Sequence, residues 1–179
     1  VEWLTPLQSL PHLPILGYYV QDFEPMMYPE GSEQGKKALA TYTMIEGCRQ
    51  FTKTRWTWKT VRDHTGANLD VVGISVNTDL FRPRDMVPLG IKPVTIVAMV
   101  RPSSPYRSPL MTLSILKQTE QKFGKDVDIW LFGANDIREV VDQQYLDFKW
   151  RQLGKLTQQQ VASMMSKADI FTDFSSHQA

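Results

Sequence analysis

A run of apolar residues from Val94 to Val100 is followed by a loop with two arginines and then by the start of a helix. The loop carries Arg101 and Arg107, and Ser108 and Pro109 open the helix. A helix start offers free N–H groups and a partial positive charge, while arginine adds fixed charge with forked donors. This order of strand, basic loop and helix constrains the chain to an α/β fold and predicts a ligand with a diphosphate group.

Predicted strands alternate with predicted helices along the chain, which indicates α/β architecture with parallel, doubly wound sheets. The predicted strands span residues 15–20, 49–53, 68–76, 94–100, 126–132 and 169–174. The predicted helices span residues 32–45, 54–66, 108–123, about ten residues after a cap at Asn135, and a segment opened by a capping box at Thr157.

The segment 84–92 contains proline and glycine and shows little periodicity, so we interpret it as an interdomain linker. It separates residues 1–83, predicted to be the end of a first Rossmann-like domain, from residues 93–179, predicted to be the start of a second one.

Composition excludes several classes of protein. The 42% of hydrophobic residues predicts a packed core, and the net charge of +1 argues against a nucleic-acid partner. The single cysteine, Cys48, excludes an internal disulfide and fits a reducing compartment, and no apolar run approaches the roughly 18 residues of a membrane span. We therefore expect a cytoplasmic location.

The loops after three predicted strands carry the candidate ligand-binding residues of the second half. These are Arg101 and Arg107, then Gly133, then Ser175, Ser176 and His177. Because ligands bind at the carboxyl ends of strands in such sheets, the arginines would hold phosphates and the glycine would allow close approach to the backbone. The alternatives are a surface ion pair for Arg101 and a position in solvent for Arg107.

In the first half, Asp22 and Glu24 follow directly after a predicted strand. Two carboxylates there suit acid–base chemistry or the recognition of hydroxyl groups, and the alternative is an acidic turn. The three histidines are too scattered to predict a metal site. Glycine-rich phosphate loops and the Gly-X-Ser-X-Gly pattern are missing from the sequence, which argues against P-loop hydrolases, dinucleotide-dependent dehydrogenases and α/β-hydrolases.

Several segments resemble retaining GT-B glycosyltransferases. The run 71–83 is similar to the family's hinge segment, the loop at Arg101 to its diphosphate loop, and residues 153–156 with 168–171 to a later conserved run. Residues 18–32 resemble, more narrowly, the rhamnosyltransferases that build bacterial rhamnan and surface-layer glycans. The chain departs from the family pattern at Ser75, Asn77, Val100 and Arg107.

The resemblance implies transfer of a sugar, expected to be rhamnose, from a dTDP- or UDP-linked donor to a glycan or lipid-linked glycan acceptor. It implies retention of configuration and neither metal nor cofactor. Arg101 and Arg107 would hold the donor diphosphate, with Gly133, Ser175, Ser176 and His177 beside the donor and Asp22 and Glu24 as catalytic groups on the acceptor side.

The family's Glu-x7-Glu segment would follow Ala179, so the resemblance also implies that the chain is a fragment that is inactive alone. Two alternatives remain open: a nucleotide-binding or regulatory α/β module without transferase activity, and an interaction domain with no small ligand. Association with the inner face of the membrane and a homodimer are left open as well.

Overall fold

A computed structural model of the chain describes residues 6–7, 9–10, 12, 15–83 and 93–175. These residues form two compact units that divide between Val76 and Asn77, and each unit holds one parallel sheet, which confirms the α/β class. The segment interpreted as a linker, 84–92, lies outside the described residues. Among the described helices, none has both the length and the apolar character needed to cross a bilayer.

The first unit is built on a three-stranded parallel sheet of order β1-β2-β3. Its elements are β1 (Gly17–Val20), a 3₁₀ turn (Glu24–Met27), α1 (Glu33–Ala40), β2 (Arg49–Thr52), α2 (Arg55–Thr65) and β3 (Asp70–Val71). The Ser32 and Thr54 side chains accept hydrogen bonds from backbone N–H groups at the starts of α1 and α2, as the sequence predicts. The core consists of Val20, Phe23, Tyr42, Val61 and Leu69.

Two predictions for the first unit are wrong in their extent. The first helix ends at Ala40 rather than near residue 45, because the Thr41 hydroxyl donates to the Ala38 carbonyl at 2.7 Å and competes with a further helical turn. The strand predicted over 68–76 pairs only at Asp70–Val71. Its partner β2 ends at Thr52, where the chain turns into α2, so residues 73–76 find no ladder to continue.

The second unit is built on a four-stranded parallel sheet of order β6-β5-β4-β7. The strands are β4 (Val94–Met99), β5 (Val127–Phe132), β6 (Arg151–Gly154) and β7 (Ile170–Thr172), and the helices are α3 (Pro109–Phe123) and α4 (Gln158–Met165). Pro109 and Gly124 bound α3, and the complete capping box of Thr157 and Gln160 opens α4. These ends agree with the sequence prediction.

The two faces of this sheet are covered differently. One face packs against α3 and the segment after β5, and its buried cluster comprises Ile96, Ala98, Val100, Leu113, Leu116, Ile129, Leu131, Ile137, Val141 and Leu146. Because side chains alternate along a strand, Val97, Met99 and Phe132 belong to the opposite face. That face is covered by α4 and leaves the space in which the candidate site lies.

One helix of the second unit is predicted wrongly and one strand is missed. In place of a ten-residue helix capped by Asn135, the chain forms two 3₁₀ turns, Ile137–Glu139 and Gln143–Tyr145. Asp136 and Asp142 each accept a hydrogen bond from the backbone N–H two residues on, a local pattern that competes with helix formation. The missed strand is β6, which carries polar residues and forms an edge of the sheet.

Candidate functional site

The candidate ligand-binding loops of the second unit start from one edge of its sheet. Strand β4 lies between β5 and β7 and runs parallel to both, so the carboxyl ends of the three strands are neighbours. Backbone bonds continue past the strands, from Val100 N to Phe132 O at 2.8 Å and from Gly133 N to Gly154 O at 2.9 Å. The loops that begin at Arg101, Gly133 and Lys155 are therefore adjacent.

A cavity of about 720 Å³ opens between this edge and α4. Its apolar wall comes from strand and helix side chains, namely Met99, Phe132, Val161, Met165 and Phe171. Its polar rim comes from the loops, namely Arg101, Ser103, Ser104 and Lys155. Apolar walls with a few polar groups at the rim are typical of small-molecule sites, and the volume lies in the usual range of roughly 300–1,000 Å³.

A second cavity, of about 450 Å³, adjoins the first, and its lining mixes apolar residues with polar ones. The two cavities share Arg101, Ser103, Gly133 and Lys155. The second adds the polar side chains of Asn135, Asp136 and Glu139. A ligand that filled both cavities would therefore pass Arg101 and Lys155, the two cations at the boundary between the cavities.

Arg101 is exposed, and the described part of the chain gives it no carboxylate within salt-bridge distance. The same holds for Lys155 among the described residues. The alternative of a surface ion pair for Arg101 is thus not what these residues form. Two cations without a carboxylate partner retain their full charge for an anionic ligand.

Arg107 has a different environment. Its Nη1 lies 3.6 Å from Asp173 Oδ2 and 3.5 Å from Ser175 Oγ, and its side chain is only 28% exposed. Ser175 in turn bonds to the Asp173 carboxylate through its backbone N–H at 2.9 Å and through its hydroxyl. Arg107 therefore lies across the end of β7 and not in solvent, and much of its charge is balanced by Asp173.

Local backbone geometry places Arg107 there. Pro105–Arg107 form a 3₁₀ turn, and Ser108 then takes a left-handed conformation with φ of 47° before α3 begins. The Arg107 guanidinium also lies 5.4 Å from the centre of the Tyr106 ring, and its Nε atom is buried with no hydrogen-bond partner among the described residues. A left-handed non-glycine residue is costly enough to mark a loop with a defined shape.

Gly133 is fixed by its surroundings. Its φ is +107°, and a Cβ atom there would lie 3.0 Å from Met99 Cγ and 3.1 Å from the Val100 carbonyl oxygen. Both the backbone conformation and the space select glycine. The close approach of a ligand to the Gly133 backbone stays a prediction; the residue lines both cavities, and Met99 and the Val100 carbonyl occupy the space where a Cβ atom would lie.

Two residues of this site escape sequence reasoning because one lies on the missed strand β6 and the other follows it directly. The Gln152 side chain donates to the carbonyls of Ala134 and Asn135 and accepts from Ile137 N at 3.3 Å, which holds the loop that lines the second cavity. Lys155 follows the strand and lines both cavities. The glycine before Lys155 is a signal of a strand end that could have drawn attention to it.

In the first unit, Asp22 and Glu24 flank the buried Phe23. Asp22 Oδ1 accepts a hydrogen bond from Phe23 N at 2.9 Å, and Glu24 is exposed at the start of a 3₁₀ turn. The Tyr42 hydroxyl donates to the Asp22 carbonyl and accepts from Glu24 N, both at 3.1 Å. The segment is therefore an ordered acidic turn, in agreement with the alternative interpretation, and it leaves the Glu24 carboxylate accessible.

Tyr42 is 1% exposed, and its burial raises the pKa of its hydroxyl far above the ordinary value. Burial disfavours the phenolate, so the hydroxyl stays protonated into the alkaline range and serves as both donor and acceptor. It also links the core to the turn, because its ring packs against Phe23 at a centroid distance of 5.8 Å.

Within residues 15–83 and 93–175, no three histidine, cysteine, aspartate or glutamate side chains gather as metal ligands would. Ser176 and His177 lie outside the described residues. No protein-family model matches the chain, and a search among curated proteins finds no similar sequence. The resemblance to retaining GT-B glycosyltransferases stays a prediction.

Proposed function

We propose that the second unit binds a nucleoside diphosphate sugar and that the chain is part of a retaining glycosyltransferase of the GT-B type. One observation carries the proposal: Arg101, which has no carboxylate partner among the described residues, lies after the central strand β4 at the boundary of a cavity walled by apolar side chains and a cavity whose lining includes Asn135, Asp136 and Glu139. A nucleoside diphosphate sugar has the matching order of a flat ring, an anionic link and a hydroxyl-rich ring.

The physical role of Arg101 is to stabilise the diphosphate that leaves during sugar transfer. Cations placed in advance around developing negative charge stabilise a transition state without reorganisation of solvent. Arg107, balanced by Asp173 and bonded to Ser175, contributes chiefly by shaping the loop beside the donor. Gly133 lines both cavities, and its lack of a side chain would let the donor approach the backbone there.

We further propose that the donor sugar is rhamnose, linked to dTDP or UDP, and that the acceptor is a glycan or a lipid-linked glycan. In this proposal both units are of Rossmann-like type, Ser175, Ser176 and His177 lie beside the donor, and Asp22 and Glu24 act from the acceptor side. The reaction retains configuration and proceeds in the cytoplasm or at the inner face of the membrane, with the cations in place of a metal ion.

Calorimetric titration of the chain with dTDP, UDP and their rhamnose conjugates tests donor binding. We expect saturable binding that Arg101→Ala weakens by about 10- to 150-fold, since hydrogen bonds to charged groups are worth roughly 1.5–3 kcal/mol. Arg55→Ala, an exposed arginine of the first unit, is the matched control and should bind as the unmodified chain does. Equal affinity in Arg101→Ala would refute the phosphate role.

A nucleotide-binding module without transferase activity is the second candidate. The observation that favours it is that both cavities and both cations lie in the second unit alone. Sugar transfer to a glycan by the full-length product of the gene would support the transferase. Nucleotide binding without transfer or hydrolysis in that product would support the module.

A further inference from the structure

We propose that Lys155 is a second anion-binding residue and that it forms, with Arg101, a clamp for the diphosphate of the ligand. The proposal rests on the proposed function. It adds Lys155 as the residue that contacts the diphosphate opposite Arg101, and it assigns the base and the sugar of the ligand to different cavities. It follows from the positions of the two residues at the boundary of both cavities.

The backbone fixes the origin of the Lys155 side chain. Strand β6 ends at Gly154, whose φ of +74° turns the chain, and the Gly154 carbonyl accepts the hydrogen bond from Gly133 N at 2.9 Å. Lys155 therefore leaves the sheet beside Gly133, on the side of β5 opposite to β4. Arg101 follows β4, so the two cations flank the end of β5.

Charge balance distinguishes these two cations from their neighbours. Arg151, on the strand that precedes Lys155, contacts Asp128 with its Nη2 at 3.0 Å, and Arg107, in the same loop as Arg101, contacts Asp173. Among the described residues neither Arg101 nor Lys155 has such a partner. Two like charges that line one region repel each other, and an anion bound between them removes that repulsion.

The chemistry of the two cavities gives the direction of the ligand. Glu139 would repel a phosphate inside the second cavity, where Asp136 is already paired with Arg138 at 3.6 Å, so the anion belongs at the boundary with the cations. The same carboxylates can accept hydrogen bonds from sugar hydroxyls, and the Asn135 amide can both donate and accept them. The apolar wall with Phe132 and Phe171 suits a flat base.

The test uses Lys155→Met, which removes the charge and keeps the stem, and Lys155→Arg, which restores the charge. Lys167→Met, at an exposed lysine beyond the end of α4, is the matched control. The probes are inorganic pyrophosphate, UDP and dTDP, titrated by calorimetry at two salt concentrations. We expect Lys155→Met to weaken all three probes about 5- to 30-fold with a shallower salt dependence, and Lys155→Arg to recover most of the loss.

The outcomes separate this proposal from the proposed function. If Arg101→Ala weakens nucleotide binding while Lys155→Met does not, the clamp is refuted and the proposed function stands. Suppose that Lys155→Met loses affinity for pyrophosphate and that the unmodified chain binds nucleotides no better than pyrophosphate. That result supports the clamp and refutes the proposal that the ligand is a nucleotide. A chain that binds none of the probes overturns both. Thermal unfolding of each variant checks that the exposed Lys155 can be replaced without loss of the fold.

Discussion

Replacing Gly133 with alanine is the substitution for which the structure gives the sharpest stability prediction. The residue follows β5 with φ of +107°, and the added methyl group would lie 3.0 Å from Met99 Cγ and 3.1 Å from the Val100 carbonyl oxygen. Ordinary contacts of a Cβ atom are 3.4 Å or longer. The Met99 side chain can rotate away, but the carbonyl belongs to the backbone after β4, so the sheet itself must shift.

Two contributions add up to the expected loss. An L-residue held at positive φ costs about 1–2 kcal/mol, and overpacking against a rigid neighbour costs about 1–3 kcal/mol. We therefore expect Gly133→Ala to lower the free energy of unfolding of the second unit by about 2–5 kcal/mol, which is a large part of the roughly 5–15 kcal/mol of an ordinary domain.

Native-state hydrogen exchange of the β4 amides is the suitable assay, because it reports on the second unit even where the two units unfold separately. Gly124→Ala is the matched control, since Gly124 lies in the same unit at φ of +52° and a methyl group added there would meet no atom within 4 Å. It carries the conformational contribution alone. A loss in Gly133→Ala of no more than about 1–2 kcal/mol, the cost of positive φ alone, would show that the contacts around Gly133 impose no steric cost.

Two further predictions concern stability. Tyr42→Phe removes the hydroxyl that bridges Asp22 O and Glu24 N and should destabilise the first unit by about 1–3 kcal/mol, measured by urea unfolding against Tyr28→Phe at an exposed site. Because burial raises the folded-state pKa of Tyr42, the stability that its protonated hydroxyl contributes is complete below about pH 10 and is lost above it, at up to about 1.4 kcal/mol per pH unit. Tyr42→Phe should therefore reduce the decrease in unfolding free energy at alkaline pH. An unchanged pH dependence of the unfolding free energy would contradict this cause. Thr157→Ala removes the capping box of α4 and should cost about 1 kcal/mol, visible as faster exchange of the α4 amides.

The helix ends show what sequence could predict. Ser32, Thr54 and Thr157 are recognised as caps because a hydroxyl before a periodic segment satisfies backbone N–H groups that no residue inside the helix can reach, and each cap is present in the structure. Pro109 and Gly124 mark α3 for equally local reasons. The strands β4 and β5 are predicted within a residue because both faces of a central strand are covered, which leaves mostly apolar runs that only Thr95 and Asp128 interrupt.

Predictions fail where the outcome depends on neighbours that the local sequence does not contain. The run 68–76 has strong strand character, yet only Asp70–Val71 pair, because the length of β2 decides how far a ladder extends. After β5, Asn135 lies in a pattern that fits a helix, but Asp136 and Asp142 take up the backbone donors in short turns, and Ile137, Val141 and Leu146 are buried without a helix.

The polar strand β6 explains why half of the proposed clamp escapes sequence reasoning. An edge strand has one ladder partner and a solvent-facing side, so it can carry Arg151 and Gln152, and its sequence gives no apolar alternation. Its stability comes instead from cross-strand pairing, with Arg151 on Asp128 of β5, and from Gln152 bonded to the loop after β5. These same contacts set the place of Lys155. A site residue that follows such an edge strand is therefore found through the loop that the strand supports. Gln152→Leu removes the hydrogen bonds to that loop, so we expect it to alter ligand binding in the second cavity more than the stability of the core.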